Sequence, residues 1–336
     1  MTDRNNRAIH LKRRPVGMPQ ESDFELVESS LAAPGAGEVM VRNLYISVDP
    51  YMRGRMIDRE GYVEAFQLGE PLAGGCVGQV IESHNDNFQV GDYVLGSQGW
   101  REYYVSDGED LRKIDPGKLP VQAYLGVLGM TGMTAYVGLL DIGQPQAGET
   151  VFVSAASGAV GSIVCQIAKI KGCRVVGSAG SDQKIDWLIN TIGVDSAFNY
   201  KKVDDLTSTL GTHCPDGIDI YFENVGGDHL EATLEHMNLF GRIPACGMIS
   251  QYNAIERQPG PRNLISIVGN RVLLKGFIVS DHYDQLPQFY QDMQQWISEE
   301  KITWEETIVD GLDNAPKAFI DLFTGENIGK MLVKVH

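Results

Sequence analysis

The stretch Val151-Phe-Val-Ser-Ala-Ala-Ser-Gly-Ala-Val-Gly161 runs from an apolar strand pattern through a glycine turn into a helical pattern. The helical part is marked by Ile163, Val164, Ile167 and Ile170, which recur on one face. Read as G-x-G-x-x-G, the three key positions are Ala156, Gly158 and Gly161. A glycine at the second position lets the backbone approach a pyrophosphate, and one at the third lets the helix pack closely on the strand. The first turn of the helix then offers backbone N–H groups and a positive dipole end to the anion. An ordinary tight β–α turn would also fit so short a segment, and Ala156 departs from the pattern. What surrounds the segment therefore decides the reading.

Working outward, six strand patterns lie at Val151–Ala155, Arg174–Ser178, Ala197–Tyr200, Ile218–Glu223, Arg242–Cys246 and Val272–Val279. Helical patterns separate several of them, including Leu230, Leu234 and Met237, read here as one helix face. Six strands with crossover helices match a doubly wound, parallel dinucleotide-binding sheet. The first ~120 residues have a different rhythm, with short apolar runs broken by Gly, Pro and Asp, as in Glu38–Arg42, Gly78–Glu82 and Gly91–Leu95. A helix with Leu286, Phe289, Tyr290, Met293, Trp296 and Ile297 on one face follows the six-strand region. The tail ends in the strand-like Lys330–Val335, expected to rejoin the N-terminal β region. The expectation is an α/β chain of two domains: 1–123 with 300–336, rich in β-structure, and 124–299 carrying the parallel sheet.

The tip of the second strand selects the dinucleotide. A site for NAD places Asp or Glu there for the ribose hydroxyls, but the chain reads Gly177-Ser-Ala-Gly-Ser181. Asp182 follows, with Lys184 beside it. A neutral tip with a nearby cation suits a 2′-phosphate, through a charge-assisted hydrogen bond. NADPH is therefore favoured, although Lys184 could also be a plain surface lysine.

The chain has 336 residues, 28 basic and 44 acidic, for a net charge of −16. That charge disfavours nucleic acid or an anionic membrane as the main partner. No apolar leader pattern opens the sequence, and the longest uncharged stretch, Val151 to Ala168, is broken by serines and glycines; a cytoplasmic protein is expected. The five cysteines form no C-x-x-C pair, and the seven histidines show no ligand spacing, so no metal is expected. Polarising a carbonyl must then fall to hydrogen-bond donors.

In combination, Ser47-Val-Asp-Pro-Tyr-Met-Arg-Gly54, Gly129–Tyr136, Ala155–Gly161, Phe222-Glu-Asn-Val-Gly-Gly227, Cys246-Gly-Met-Ile-Ser250 and Gly325-Glu-Asn-Ile-Gly-Lys330 carry a resemblance. Over almost its whole length the chain resembles the zinc-independent medium-chain dehydrogenase/reductase superfamily. Within it, it is similar to the leukotriene B4 dehydrogenases and alkenal double-bond reductases, bacterial NADPH-dependent curcumin reductases among them. The zinc-dependent members place a cysteine ligand in the region where this chain has Asp49-Pro-Tyr51. The resemblance implies a GroES-like substrate domain, a Rossmann domain and a cleft between them. It implies conjugate reduction of α,β-unsaturated ketones or aldehydes by NADPH, with curcumin-like enones as the leading substrate. A quinone reductase and a relative that binds the cofactor without catalysis remain alternatives.

Carried onto this chain, the resemblance places pyrophosphate over Gly158, Ala159, Val160 and Gly161, and the 2′-phosphate near Lys184 and Tyr200. Asn224 would follow the ribose. Cys246, Gly247, Met248, Ile249, Ser250, Phe277, Ile278, Val279 and Asn327 would line the nicotinamide end. Tyr252 is the expected hydrogen-bond donor toward the forming oxyanion, directly or through the nicotinamide ribose hydroxyl, since a phenol of ordinary pKa near 10 stays protonated at neutral pH; a stacking wall is its plainer role. Tyr51 is the second candidate. Tyr62, Trp100 and Met133 are candidate walls of an apolar slot, though each suits ordinary core packing. The loop Ile255–Pro261 carries no recognisable pattern. A homodimer is the expected assembly.

Overall fold

The computed structural model describes residues 4–115, 117–256 and 258–336; Arg257 of the Ile255–Pro261 loop lies outside them. The chain divides into two compact units. One runs up to Leu125 and takes back Glu306–Asn327 and Met331–His336; the other comprises Gly126–Glu305 and Ile328–Lys330.

The first unit opens with an antiparallel pair, β1 (Arg4–Leu11) and β2 (Phe24–Leu31). It continues with β3 (Val39–Ser47), a short helix α1 (Met52–Arg55), β4 (Cys76–Ser83), β5 (Tyr93–Gly96), β6 (Tyr103–Ser106) and β7 (Arg112–Ile114). Short strands of β-branched and aromatic residues between Gly and Asp turns pair antiparallel, β4 with β5 across a short connection and β3 with the more distant β4 and β6. Val39, Val41, Val80 and Val94 are fully buried beneath this sheet.

The second unit begins with α2 (Met130–Val137) and then alternates strand and helix. The elements are β8 (Thr150–Val153), α3 (Gly161–Ile170), β9 (Arg174–Ala179), α4 (Asp182–Trp187), β10 (Ser196–Asn199), α5 (Leu206–His213) and β11 (Ile218–Phe222). After them come α6 (Asp228–His236), β12 (Met237–Ala245), α7 (Ile265–Asn270), β13 (Leu273–Gly276) and α8 (Leu286–Ser298). The sheet order is β10-β9-β8-β11-β12-β13, and every neighbouring pair is parallel. In sequence rank this is 3-2-1-4-5-6, the doubly wound order, which reverses direction between β8 and β11. The inner strand β8 shows the cover that helices give both faces of such a sheet: all four of its residues, Thr150-Val-Phe-Val153, are buried. On α3, Ile163, Val164 and Ile167 are buried as their spacing requires.

One helical reading is corrected. Leu230 and Leu234 share a face of α6, but Met237 belongs to β12, where it pairs with Ile218. Met237 is buried in the same apolar cluster as both leucines, so its hydrophobicity alone did not separate helix from strand.

β13 pairs with β12 on one side only and forms the sheet edge. Leu273 and Leu274 stand 50% and 37% exposed there, and on α7 Ile265 and Val268 stand 75% and 70% exposed. Finally β14 (Glu306–Asp310), α9 (Ala315–Thr324) and β15 (Lys330–Lys334) follow. They complete the first unit's sheet in the order β14-β15-β3-β4-β5-β7, with β6 on β3. β15 lies antiparallel to β3, Leu332 opposite Ser47.

Candidate functional site

The glycine turn after β8 is shaped by the space that side chains leave empty. A Cβ on Gly161 would sit 2.4 Å from the Ala155 carbonyl oxygen, so only glycine lets α3 start so close to the strand. Ala155 takes a positive φ of 48°, and the Ala156 N–H donates to the Ser178 carbonyl at 3.0 Å. Ala156 replaces the first glycine of the pattern, and Gly177 on β9 explains why it fits. A Cβ on Gly177 would lie 2.8 Å from the Ala156 methyl, so the missing side chain has moved to the neighbouring strand. Alongside, the Gly329 N–H donates to the Ser157 carbonyl (2.8 Å), which lays Ile328–Lys330 against the turn.

The tip of β9 carries no carboxylate turned toward a ribose. Asp182 accepts from Asn199 Nδ2 (2.8 Å) and pairs with Lys202 (2.5 Å), contacts that hold its carboxyl below the usual range. Lys184 is buried on α4, where its N–H donates to the Ser181 cap. The Tyr200 hydroxyl and the Lys201 ammonium lie 3.3 and 3.5 Å from where a Cβ on Gly180 would be. Sequence reading missed Lys201; its only signal was one more cation after the third strand. Beneath, His229 of α6 is hydrogen-bonded to Ser178 (3.2 Å) and meets the Tyr200 ring edge-on, 5.0 Å between centroids.

The turn after β11 and the loop after β12 are knitted together. Asn224 donates through its amide to the Ser154 carbonyl (2.8 Å) and through its backbone N–H to Ser154 Oγ (3.0 Å). Its own carbonyl accepts the Ile249 N–H (3.1 Å), and the Val225 carbonyl accepts both the N–H and the hydroxyl of Ser250 (3.1 and 2.6 Å). Within that loop the Tyr252 hydroxyl accepts the Met248 N–H at 3.3 Å, above Gly247, where a Cβ would approach it to 2.8 Å. A phenol oxygen that accepts an N–H becomes a better donor of its own proton. Burial, with Glu223 nearby, pushes the Cys246 thiol up to about 12, so it is neutral and unsuited to nucleophilic attack. Cys246 and Phe277 each follow one of the paired residues Ala245 and Gly276. The Phe277 ring packs where a Cβ on Gly138 would be, at 2.6 Å.

The structure thus gathers Gly158–Gly161, Asn224, Cys246–Ser250 and Tyr252 around the point where the strand order reverses. Ligands of doubly wound sheets bind there. A crowded glycine turn at a helix N-terminus and a strand tip with cations but no free carboxylate fit NADPH in particular.

Other expected residues behave differently. Tyr51 opens α1 in the first unit, and burial with Asp49 nearby keeps its phenol protonated well above the ordinary range. Tyr62 is exposed. Trp100 is fully buried, 6.0 Å from Phe24 and 6.1 Å from Phe319 between ring centroids, which is the core packing weighed for it above. Met133 is likewise buried, within α2. Asn327 ends the Glu306–Asn327 segment of the first unit. Among the described residues no group of three His, Cys, Asp or Glu is placed to hold a metal ion.

Residues 7–114 match a family described as the N-terminal domain of oxidoreductase, and residues 159–299 one described as zinc-binding dehydrogenase. The chain is 48% identical to the NADP(+)-dependent 2-alkenal reductase of Nicotiana tabacum, over 98% of each chain. It is 46% identical to the NADPH-dependent curcumin reductase of Escherichia coli, over 98% of this chain and 97% of that one. The crystal structure of CurA from Vibrio vulnificus in complex with NADPH superposes with a TM-score of 0.94. That protein is 45% identical, with 98% of this chain and 99% of the other covered.

Proposed function

This chain belongs to the zinc-independent medium-chain dehydrogenase/reductase superfamily, in its alkenal double-bond reductase group, and on that premise we propose its reaction and the residues that perform it. It is an NADPH-dependent oxidoreductase that reduces the conjugated C=C bond of α,β-unsaturated ketones or aldehydes, with curcumin-like enones as the leading substrate. One observation carries this reading: identity near one half, end to end, with two enzymes named for that activity.

When bound, NADPH supplies the hydride for the β-carbon. Gly158, Ala159, Val160 and Gly161 hold its pyrophosphate, and Lys184 and Tyr200, with Lys201 beside them, hold the 2′-phosphate. Asn224 follows the ribose. Cys246–Ser250, Phe277–Val279 and Asn327 line the nicotinamide end. As negative charge moves onto the substrate carbonyl oxygen, Tyr252 donates a hydrogen bond to it, and the α-carbon then takes a proton from solvent, which completes the addition of two hydrogens. The Met248 N–H on the Tyr252 oxygen supports that donation. Tyr51, held protonated, is the second donor. The first unit serves as the substrate domain and the second as the NADPH domain.

Two copies associate through the open edge of β13, where Leu273 and Leu274 are exposed. An unpaired apolar edge is a template for pairing with a second strand. The five free cysteines suit a reducing, cytoplasmic setting.

The test is loss of absorbance at the nicotinamide band with NADPH or NADH against curcumin, a simple enone and a quinone, with product mass. NADPH consumption with a two-hydrogen gain on the enones is expected; turnover of quinones alone would overturn the reading. Tyr252→Phe should lower kcat on enones by ~10²–10³ with little change in NADPH affinity, as for loss of one oxyanion donor.

A further inference from the structure

Three loops, at the tips of β8, β11 and β12, meet at one buried residue, Glu223, partly through its carboxyl group and partly through its backbone. Glu223 follows β11 and is fully buried. Its Oε1 accepts from the Tyr221 hydroxyl (2.8 Å) and from the N–H groups of Val225 and Gly226 (both 2.7 Å). Its backbone carbonyl accepts from the N–H groups of Cys246 (3.0 Å) and Gly247 (3.1 Å), and its own N–H donates to the Pro244 carbonyl (3.0 Å). The Tyr221 hydroxyl also lies 3.0 Å from Ser154 Oγ, the atom that accepts the Asn224 N–H. Side chain and backbone of one residue thus bind the turn on one side and the loop on the other. Through Tyr221 and Ser154 they reach the residue just before the glycine turn.

Oε2 makes none of these bonds and is buried without a hydrogen-bond partner. Burying a carboxyl group half-satisfied is costly, and burial pushes Glu223 above the usual carboxylate range. An apolar side chain would occupy this space at lower cost, but it could not gather the three donors. What the carboxyl secures is therefore geometry.

We propose that Glu223 is a positioning residue for NADPH, fixing the Asn224–Gly227 turn against the Cys246–Tyr252 loop so that both meet the cofactor in one arrangement. The inference rests on the assignment of those two segments to the cofactor. Glu223 itself touches neither cofactor nor substrate.

The test measures NADPH binding to the unloaded protein by tryptophan fluorescence, hydrogen exchange at the Val225 and Gly226 amides, and steady-state kinetics. Glu223→Ala should raise the NADPH Kd by about 10- to 100-fold, the equivalent of one or two lost charge-assisted hydrogen bonds. The two amides should lose protection while those of β8 and β11 keep theirs, and kcat at saturating NADPH should fall about tenfold or more. Glu223→Gln keeps the accepting oxygen and should lose no more than about threefold in Kd. NADPH affinity within twofold of wild type in Glu223→Ala would overturn the proposal, as would a Gln variant as damaged as the Ala variant. If Glu223→Ala does not fold, Tyr221→Phe decides: it removes one donor and should weaken NADPH by about threefold or more with strand protection intact. An unchanged Kd there would overturn the proposal. Wild-type protein that binds NADPH but reduces no enone would overturn the reaction assigned above and leave these binding readouts standing.

Discussion

Two loops flank the point where the strand order of the second unit reverses, and they are held by opposite means. The turn after β8 is set by exclusion: Gly161 and Gly177 lack the atoms that would collide with Ala155 and Ala156. The turn after β11 is set by attraction, with donors drawn onto the buried Glu223 carboxyl. Exclusion is rigid and tolerates no added atom. Attraction can be weakened by degrees. The two loops should therefore fail differently, one abruptly and one gradually.

The largest expected effect is on the excluded side. In Gly161→Ala the new methyl meets a backbone oxygen at 2.4 Å, and neither backbone segment can yield without moving β8 or α3. NADPH affinity should fall by at least about 10³-fold, some 4 kcal/mol, measured by titration on folded protein. A loss near tenfold would mean that the turn adapts, and the contrast with Glu223 would collapse.

His229 joins the two regions, since it sits on the helix after the second turn and bonds to Ser178 on the strand beside the first. Burial lowers its pKa from 6.5 to about 4, opposed by Asp228. The unfolded chain then binds more protons than the folded one between those values. Stability is retained above about pH 6.5 and falls as pH drops toward 4, by at most about 3 kcal/mol. Denaturant midpoints from pH 7 to 4 should show this decline in the wild type and a flatter curve in His229→Gln. Parallel curves would remove His229 as the cause.

The smallest effect sharpens the account of exclusion. Gly177→Ala alone should cost roughly 1–3 kcal/mol through overlap with the Ala156 methyl. Ala156→Gly with Gly177→Ala should restore most of it. A thermal double-mutant cycle should therefore show coupling of about 1 kcal/mol or more; simple additivity would mean that the two positions do not share one space.

The same contrast explains what the sequence disclosed. Exclusion writes itself as glycine at fixed spacing, so Gly158 and Gly161 were readable beside one another. Even Ala156 was visible as a departure, although its remedy at Gly177 lay on another strand. The six parallel strands were legible from short apolar stretches such as Val151-Phe-Val153 and Ile220-Tyr-Phe222 set between helical patterns. The carboxyl device was not legible: Ser154 and Glu223 stand on different strands, and a lone Glu after a strand has no distinguishing pattern. Trp100 and Met133 stayed open to two readings for a related reason. An aromatic or a methionine serves a core and a ligand slot equally well, and only their burial separates the two.

The C-terminal strand has a consequence of another kind, concerning the order of folding. β15 stands between β14 and β3, so the first unit's sheet lacks an inner strand until the chain beyond the second unit has been made. Its core also needs Leu312, Phe319, Met331 and Val333 to close over Ile9, Val39 and Trp100. The six-stranded sheet of the second unit draws all its strands from one continuous stretch. During synthesis the region translated first should therefore be the last to become native. Until then its strands wait with open edges, a state in which β-rich segments are most prone to wrong pairing.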